Sequence, residues 1–305
     1  MRSIATCYRE HAIRVSDSYC SGPSSNRVQS LKSPPIPSIS SPGPADVTST
    51  YRARLSSGKQ LLISLTWQAS FLRQGLIIYF SDGTTRELPP GPRRLPKSNG
   101  STSFQFSDMT IEISWDLTLA RFDSSPEPVS GFFVVVRADS EVILLLGDTC
   151  SEKKKDDGDE DGVEFASVSR NERFFGGNAY STRVIFEGTS SAKAHDVLIK
   201  CGGQEGGGAL TVFVDGKKMF RVQRLRWNFR GNQTIFVDGL LVDTMWDIHD
   251  WFFGEGMGCA VFMLRTRSGL DSRLWLEEKI LQGNEAAKTQ FSLLIHAYKS
   301  SSLLT

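Results

Sequence analysis

The chain has 305 residues and a formal net charge of +1, with 39% apolar and 23% charged residues. This length and composition allow a substantial hydrophobic core. The near-zero net charge argues against a protein held on nucleic acid or anionic lipid by bulk charge alone, and the sequence carries no strong nucleic-acid signature. Local patches of charge are not excluded by this balance.

The first 46 residues are predicted to form a disordered tail with a short N-terminal motif at Thr6–Asp17. More than half of residues 21–44 are Ser or Pro, and such a segment buries too little apolar surface to offset the entropy of ordering it. Residues 1–20 carry scattered charges and lack the apolar core of a signal peptide, and no transmembrane stretch follows. We therefore expect an intracellular protein, cytoplasmic or nuclear.

The cysteines agree with that compartment. They are odd in number, widely spaced and without a C-x-x-C pair, which fits neither a disulfide framework nor a zinc site. We predict no metal and no cofactor. The five are Cys7, Cys20, Cys150, Cys201 and Cys259, and the last two lie in apolar strand patterns, where a buried free thiol is usual.

Short apolar runs rich in Val, Ile, Phe and Trp recur between turn residues from residue 47 to about residue 300. In Met109–Leu117 every second residue is apolar and those between are polar, which is typical of a half-buried strand. Ser272–Leu281 is compatible with either a short helix or a strand. The other runs predicted to be strands are Gln60–Trp67, Gly75–Ser81, Gly131–Ala138, Glu141–Gly147, Arg183–Glu187, Asp196–Cys201, Leu210–Asp215, Met219–Phe229, Thr234–Asp238, Leu240–Ile248, Cys259–Arg265 and Phe291–Tyr298.

The spacing of these runs predicts an all-β fold, an antiparallel two-sheet β-sandwich with few or no helices. Residues 47–300 are predicted to be a single domain. The alternative is two small β domains in tandem, divided at the charged run of residues 151–162, which we expect to be an exposed loop. A second loop, rich in Pro and Arg, is expected at Leu88–Gly100.

A short segment occurs twice: Thr211–Gly216 reads TVFVDG and Thr234–Gly239 reads TIFVDG. Asp-Gly between two strand-like runs is a strong hairpin signal, because both central turn residues need a positive φ. We predict two successive hairpins that form a meander from Leu210 to about Ile248.

The densest grouping of His and carboxylates lies between Asp243 and Trp251. On a strand, Asp243, Asp247 and His249 would share one face, while Trp246 and Ile248 would share the other. A His–Asp catalytic pair or a metal site is conceivable there. The chain offers no second nearby His and no G-x-S-x-G nucleophile motif. The simpler interpretation is that a carboxylate caps the turn before Trp251.

A basic stripe is predicted in Arg221–Arg230, which reads RVQRLRWNFR. Alternation would place Trp227 in the core and Arg224, Arg226 and Arg230 on the outer face. Guanidinium groups bind carboxylate, phosphate or sulfate through two oxygens at once. Two interpretations stay open: these Arg residues pair with Asp243 and Asp247 across the following hairpin, or they bind an anionic ligand or partner.

Several long motifs resemble, in order, the plant proteins grouped as domain of unknown function 868. The resemblance implies a plant source and brings no known activity, ligand or catalytic residue. The motifs are TCYREHAIRVSDS (6–18), WDLTLARF (115–122), PEPVSGFFVVV (126–136), EVILLLGD (141–148), RLRWNFRGN (224–232), VDTMWDIHDW (242–251), AVFMLRTRSG (260–269) and FSLLIHAYK (291–299).

The function predicted from these features is a non-enzymatic intracellular binding or scaffold module of plant cells, with an unknown protein partner or a small anionic ligand. One alternative is a sandwich that binds a glycan or an anionic headgroup. Another is an unrecognised enzyme centred on Asp247 and His249. No catalytic residue is assigned, and the candidate binding residues are Arg224, Arg226, Arg230, Asp247 and His249.

Overall fold

The computed structural model describes residues 43–69, 75–81, 91–95, 98–148, 165–186, 193–202, 208–254, 256, 258–267 and 290–299. The predicted tail up to residue 42, the charged run 151–162 and the ambiguous segment Ser272–Leu281 lie outside the described residues. All described residues belong to one compact unit, Ser40–Thr305. Whether residues 47–300 fold cooperatively as one domain or as two stays a prediction.

The all-β sandwich is confirmed, because the described residues form strands and one short helix. The strands before residue 149 are β1 Asp46–Arg54, β2 Gln60–Gln68, β3 Gly75–Ser81, β4 Arg93–Leu95, β5 Asn99–Phe106, β6 Met109–Asp116, β7 Arg121–Phe122, β8 Pro128–Ser130, β9 Phe133–Ala138 and β10 Glu141–Gly147. The later elements are β11 Phe165–Phe175, β12 Ala179–Ile185, β13 Ala194–Gly202, β14 Ala209–Val214, β15 Lys217–Gln223, β16 Arg230–Val237, β17 Leu240–Asp247, α1 His249–Phe253, β18 Cys259–Thr266 and β19 Ser292–Tyr298.

Leu88–Gly100 differs from the loop that the sequence predicted. Arg93–Leu95 pairs with β3, and Asn99 begins β5. The prediction was wrong because Pro, Arg and Gly are common in loops. A three-residue edge strand needs only one inward-facing side chain, and Leu95 provides it.

One long sheet carries the described architecture. Its strand order is β16-β17-β18-β19-β11-β1-β2-β3-β4, and two four-stranded sheets, β10-β9-β6-β5 and β12-β13-β14-β15, accompany it. The first of these packs on β1–β4 around a core that includes Ile63, Trp67, Ile111 and Val134. The second packs on β16–β19 around a separate core. We call these the first and second sandwich.

Strand β11 joins the two sandwiches, and it was not predicted from the sequence. It pairs with β1 in antiparallel and with β19 in parallel orientation. Its centre reads SRNER, so no apolar alternation marks it as a strand. The polar centre instead forms ion pairs, both within β11 and with Glu127.

The ion pairs centre on Arg170, which lies between two carboxylates. Its Nη1 atom is 2.5 Å from Glu127 Oε2, and its Nε atom donates to Glu172 Oε1 at 2.6 Å. Thr182 Oγ1 of β12 donates to the same Glu172 oxygen at 2.5 Å. Burial raises the pKa of the fully buried Glu172, and Arg170 opposes that rise. Arg170 Nη1 also lies 3.4 Å from Ser49 Oγ of β1. A strand of each sandwich, β1 in the first and β12 in the second, therefore contacts this charge cluster.

The two Asp-Gly hairpins are confirmed. Asp215 and Gly216 have φ values of 51° and 75°, and Asp238 and Gly239 have values of 44° and 85°. The predicted continuous meander is wrong, however. β14–β15 belongs to a four-stranded sheet and β16–β17 to the long sheet, so the chain crosses the second sandwich between the two hairpins.

The aspartates of these turns meet at His195. Its Nδ1 atom lies 2.9 Å from Asp215 Oδ2, and its Nε2 atom lies 3.7 Å from Asp238 Oδ2. Lys193 Nζ lies 3.5 Å and 3.4 Å from the same two carboxylates. The hydrogen bond to His195 lowers the pKa of Asp215. The two copies of the repeated segment thus place Asp215 and Asp238, which come from different sheets, next to the same two side chains, Lys193 and His195.

Replacing Gly216 or Gly239 with Val is expected to lower the free energy of unfolding by about 1–3 kcal/mol, because a β-branched residue is strained at positive φ. A Cβ at either position meets nothing within 4 Å, so the cost comes from backbone conformation and not from a clash. Chemical denaturation measures it. Gly91→Val is the matched control, since Gly91 is equally open but lacks a positive φ; equal destabilisation of all three variants would contradict the turn assignment.

Candidate functional site

The predicted strand Met219–Phe229 ends six residues early. β15 stops at Gln223, and Arg224 has a φ of 54°. The backbone N–H groups of Trp227 and Asn228 both donate to the Arg224 carbonyl, at 2.9 Å and 3.0 Å. Residues 224–229 therefore form a turn, which we call the Arg224–Phe229 turn. Alternation could not reveal this, because a single residue at positive φ resets which side chains face inward.

Trp227 was predicted to be a core residue, and this is wrong. Its side chain is 84% exposed, whereas Leu225 is fully buried. The turn directs one residue inward and leaves the indole outside. An exposed Trp is uncommon, because this side chain combines a large apolar area with a single polar atom.

Several hydrogen bonds hold the turn in place. Leu225 N–H donates to the Gly208 carbonyl at 3.3 Å. The Trp246 indole N–H donates to the Asn228 carbonyl at 3.0 Å, and Ile248 N–H donates to the Phe229 carbonyl at 2.9 Å. The exposed indole of Trp227 thus lies on a turn that is hydrogen-bonded to β17 and to the residue before α1.

The expected two-faced pattern in β17 is confirmed, since Trp246 and Ile248 are buried while Asp243 and Asp247 are partly exposed. His249 differs from expectation, because it begins α1 and does not continue the strand. Asp247 Oδ1 accepts a hydrogen bond from the His249 backbone N–H at 3.0 Å. As expected, then, a carboxylate satisfies a free N–H group where the helix starts.

The His249 ring makes a different set of contacts. Its Nδ1 atom is 3.0 Å from Asp250 Oδ1, and the ring packs against Phe229 and Phe253 with centroid separations of 5.3 Å and 5.2 Å. Asp247 therefore contacts the backbone of His249, and the imidazole faces Asp250 and two aromatic rings.

The basic residues divide into two groups. Arg230 Nε donates to Asp247 Oδ2 at 2.7 Å, which matches one of the pairings that the sequence left open. Asp243 pairs instead with Arg267, at 2.8 Å. Arg224 and Arg226 form no ion pair within the described residues, and the Arg226 guanidinium lies 6.0 Å from the centre of the Phe252 ring.

Cations and aromatic rings therefore share one surface. Phe253 is 51% exposed and packs against Phe229, with 5.9 Å between ring centroids. Lys299 Nζ lies 5.9 Å from the Trp251 ring centre. We call this the basic–aromatic surface; it consists of Arg224, Arg226, Trp227, Arg230, His249, Phe253 and Lys299. The sequence did not identify Trp227, Phe253 or Lys299 as members, although indole and guanidinium groups side by side in RLRWNFR were the available signal.

The described part of the chain holds no cluster of His, Cys, Asp or Glu able to bind a metal ion. Burial raises the pKa of the Cys201 thiol to about 12 and also raises that of Cys259, so both thiols stay protonated at neutral pH. No helix among the described residues has the length and apolar character needed to cross a bilayer.

Residues 43–299 match a family described as a plant protein of unknown function, domain of unknown function 868. The chain belongs to this family. The match confirms the resemblance in the motifs between residues 115 and 299 and spans every described strand, whereas the motif at residues 6–18 lies outside it. No curated protein and no solved structure matches the chain.

Through Asp247, the stability of this member of domain of unknown function 868 is expected to depend on pH. Burial raises the pKa of Asp247, but hydrogen bonds from His249 N–H and Arg230 outweigh it, so the pKa lies below its ordinary value. A carboxyl with a lowered folded-state pKa stabilises the fold above the unfolded pKa of about 3.9, and loses that effect as pH falls through the folded pKa.

We therefore expect Asp247→Asn to lower the free energy of unfolding at neutral pH by less than about 1 kcal/mol, since the ion pair is half exposed. The difference from wild type should shrink as pH falls below about 4. Urea denaturation at a series of pH values measures it. A difference that is independent of pH would mean that Asp247 acts through packing and not through its charge.

Proposed function

We propose that the chain is a non-enzymatic binding module of the plant cell, acting in the cytoplasm or nucleus, and that it recognises an anionic partner or ligand through the basic–aromatic surface. The observation that carries this proposal is the 84% exposure of Trp227 on a turn held by hydrogen bonds to its neighbours. Leaving an indole in water forgoes the free energy of burying it, and a bound partner would recover that free energy.

The turn that carries Trp227 is already ordered in the free protein, which strengthens this argument. The Arg224–Phe229 turn is fixed by backbone bonds, so binding would not need to order it. Pre-organisation of this kind lowers the entropic cost of association. Trp and Arg are also the residue types that contribute most at binding surfaces.

Charge suggests the chemistry of the ligand. Arg224 and Arg226 are exposed and form no ion pair within the described residues, and guanidinium groups suit carboxylate, phosphate or sulfate. The exposed indole also suits stacking on a sugar ring, so an anionic glycan fits the same surface.

The contacts of the acidic and imidazole groups favour binding over catalysis. Asp247 uses its two oxygens for the His249 N–H and for Arg230, and its lowered pKa makes it a weak general base. The His249 ring is packed between aromatic rings and next to Asp250.

Quantitative capture from plant extract tests the proposal. Wild type, Trp227→Ala, Arg224→Ala/Arg226→Ala and Phe236→Ala would be immobilised, and retained proteins, glycans and lipids compared. Phe236 is the matched control, because it is 70% exposed but lies at the opposite end of β16 from Arg230. We expect wild type and Phe236→Ala to retain the same ligands in equal amounts. Trp227→Ala and Arg224→Ala/Arg226→Ala should lose at least some of these ligands. The proposal fails if every folded variant retains the same set.

A further inference from the structure

Three exposed aromatic side chains converge on one end of the second sandwich. Phe175 ends β11, Trp227 lies between β15 and β16, and Phe253 lies between β17 and β18. The strand register places these connections together. Phe175 pairs with Tyr298, which pairs with Cys259. Two residues further along β18, Val261 pairs with Asp247, which pairs with Arg230.

Positive charge is concentrated at the same end. The Arg224–Phe229 turn, α1 and the adjoining strand ends carry four cations and two carboxylates among the described residues, an excess of two positive charges, compared with +1 for the whole chain. One carboxylate, Asp247, is already paired with Arg230. The cations are Arg224, Arg226, Arg230 and Lys299, and the second carboxylate is Asp250.

These two features together match the chemistry of a lipid–water interface. Trp and Phe rings insert at the boundary between headgroups and acyl chains, where the indole N–H stays hydrated. Guanidinium groups bind lipid phosphates in two-oxygen contacts. Anionic leaflets attract cations over a Debye length of about 8–10 Å, so exposed charges at this end would act before the rings insert.

The form of the surface favours a bilayer over a protein segment. The exposed rings of Phe175, Trp227 and Phe253 belong to three separate segments, namely the end of β11, the Arg224–Phe229 turn and α1. This distribution suits contact with an extended surface better than contact with a single groove. A bound peptide commonly adds to a sheet edge or fills a groove. Here none of the three rings lies within the neighbouring edge strands, β15 and β16.

We propose that this end of the second sandwich docks on membranes that contain anionic lipids, with Trp227 and Phe253 entering the headgroup region and the Arg residues contacting phosphates. This inference rests on the proposed binding function and names its ligand.

Co-sedimentation of the full-length protein with vesicles tests the inference. The vesicles would contain phosphatidylcholine alone, or phosphatidylcholine mixed with phosphatidylserine. We expect binding to the mixed vesicles that weakens as NaCl is added. Trp227→Ala should lower the partition coefficient about tenfold or more, because the lost ring buries a large apolar area. Phe236→Ala, the equally aromatic control at the other end of β16, should partition as wild type does.

A second measurement separates insertion from adhesion. In vesicles made with brominated lipid, Trp fluorescence of the wild type should be quenched. Trp227→Phe should keep its binding and show much weaker quenching, because the indoles of Trp67, Trp115 and Trp246 are buried away from the lipid. Trp251→Phe measures the share of the quenching that comes from the half-buried indole of α1. Binding without Trp227-dependent quenching would overturn the insertion.

The remaining outcomes distinguish this inference from the proposed function. Soluble glycerophosphoserine that fully displaces the protein from vesicles would point to recognition of a free headgroup and would overturn docking on a bilayer. No binding to either vesicle would also overturn it. If extract capture still depended on Trp227 in that case, the binding module would stand with a ligand other than the membrane.

Discussion

Replacing Arg170 with Met is expected to lower the free energy of unfolding by about 3–5 kcal/mol, because it leaves Glu172 buried without its counter-charge. Glu172 is fully buried on β11, and Arg170 is the cation that contacts it and Glu127. Equilibrium denaturation by urea measures the loss. The free energy of unfolding in water should fall, while its dependence on urea concentration stays unchanged.

Two further variants identify the cause. Arg170→Met with Glu172→Gln should recover part of the loss, since Gln removes the isolated charge and can still accept from Thr182. The deficit of the single variant should also narrow as pH falls toward the ordinary Glu pKa of about 4.3, because a carboxyl whose folded pKa is raised destabilises the fold only where the unfolded chain is ionised.

Arg183→Met is the surface control. Its ion pair with Asp196 is exposed on both sides, so its loss should cost no more than about 1 kcal/mol. If Arg170→Met and Arg183→Met lowered the free energy of unfolding equally, the charge cluster on β11 would not be a buried ion pair in solution.

Replacing Trp246 with Ala is expected to cost about 3–5 kcal/mol, the usual loss for emptying a buried aromatic site. The Trp246 side chain is 8% exposed and packs near Phe220. A Cβ on Gly231 would lie 2.3 Å from the same indole, which shows how closely the ring fits against β16. Differential scanning calorimetry would report the loss as a lower melting temperature.

Trp227→Ala is the matched comparison, with an expected change within about 0.5 kcal/mol. Both variants delete an indole, which is buried at position 246 and exposed at position 227. Trp246→Ala should also loosen the Arg224–Phe229 turn, because it removes the donor to the Asn228 carbonyl, and amide exchange of Trp227 and Asn228 should become faster. Equal melting temperatures would contradict the opposite placements of the two indoles.

Strand prediction from the sequence succeeded mainly where one face of a strand is apolar and the other polar, although it missed β1 and β5. It succeeded for β6, with Met109, Ile111, Ile113 and Trp115 buried and Glu112 exposed. It failed for β11, where Glu172 is fully buried and Arg170 is partly buried. Hydrophobic patterning treats every charge as exposed, so a strand whose centre is held by ion pairs does not show as one.

The candidate site was predicted only in part. The pairing of Arg230 with Asp247, and the use of a carboxylate to accept a backbone N–H before Trp251, could be anticipated from the sequence. The position of Trp227 could not, because it depends on the positive φ of Arg224. An Arg at that φ is uncommon, and it is stabilised by hydrogen bonds from Trp227 and Asn228 and by the burial of Leu225.

By itself, the sequence of this protein determined the all-β class, the bounds of most strands, the two Asp-Gly turns and the family, because all of these follow from local spacing and residue type. Only the tertiary structure decided that the two hairpins lie in different sheets, that β11 unites two sandwiches, and that three exposed rings share one end with the cations. These features depend on contacts between residues far apart in the chain. Local periodicity records which side of a strand is buried, but not which strand or sheet covers it.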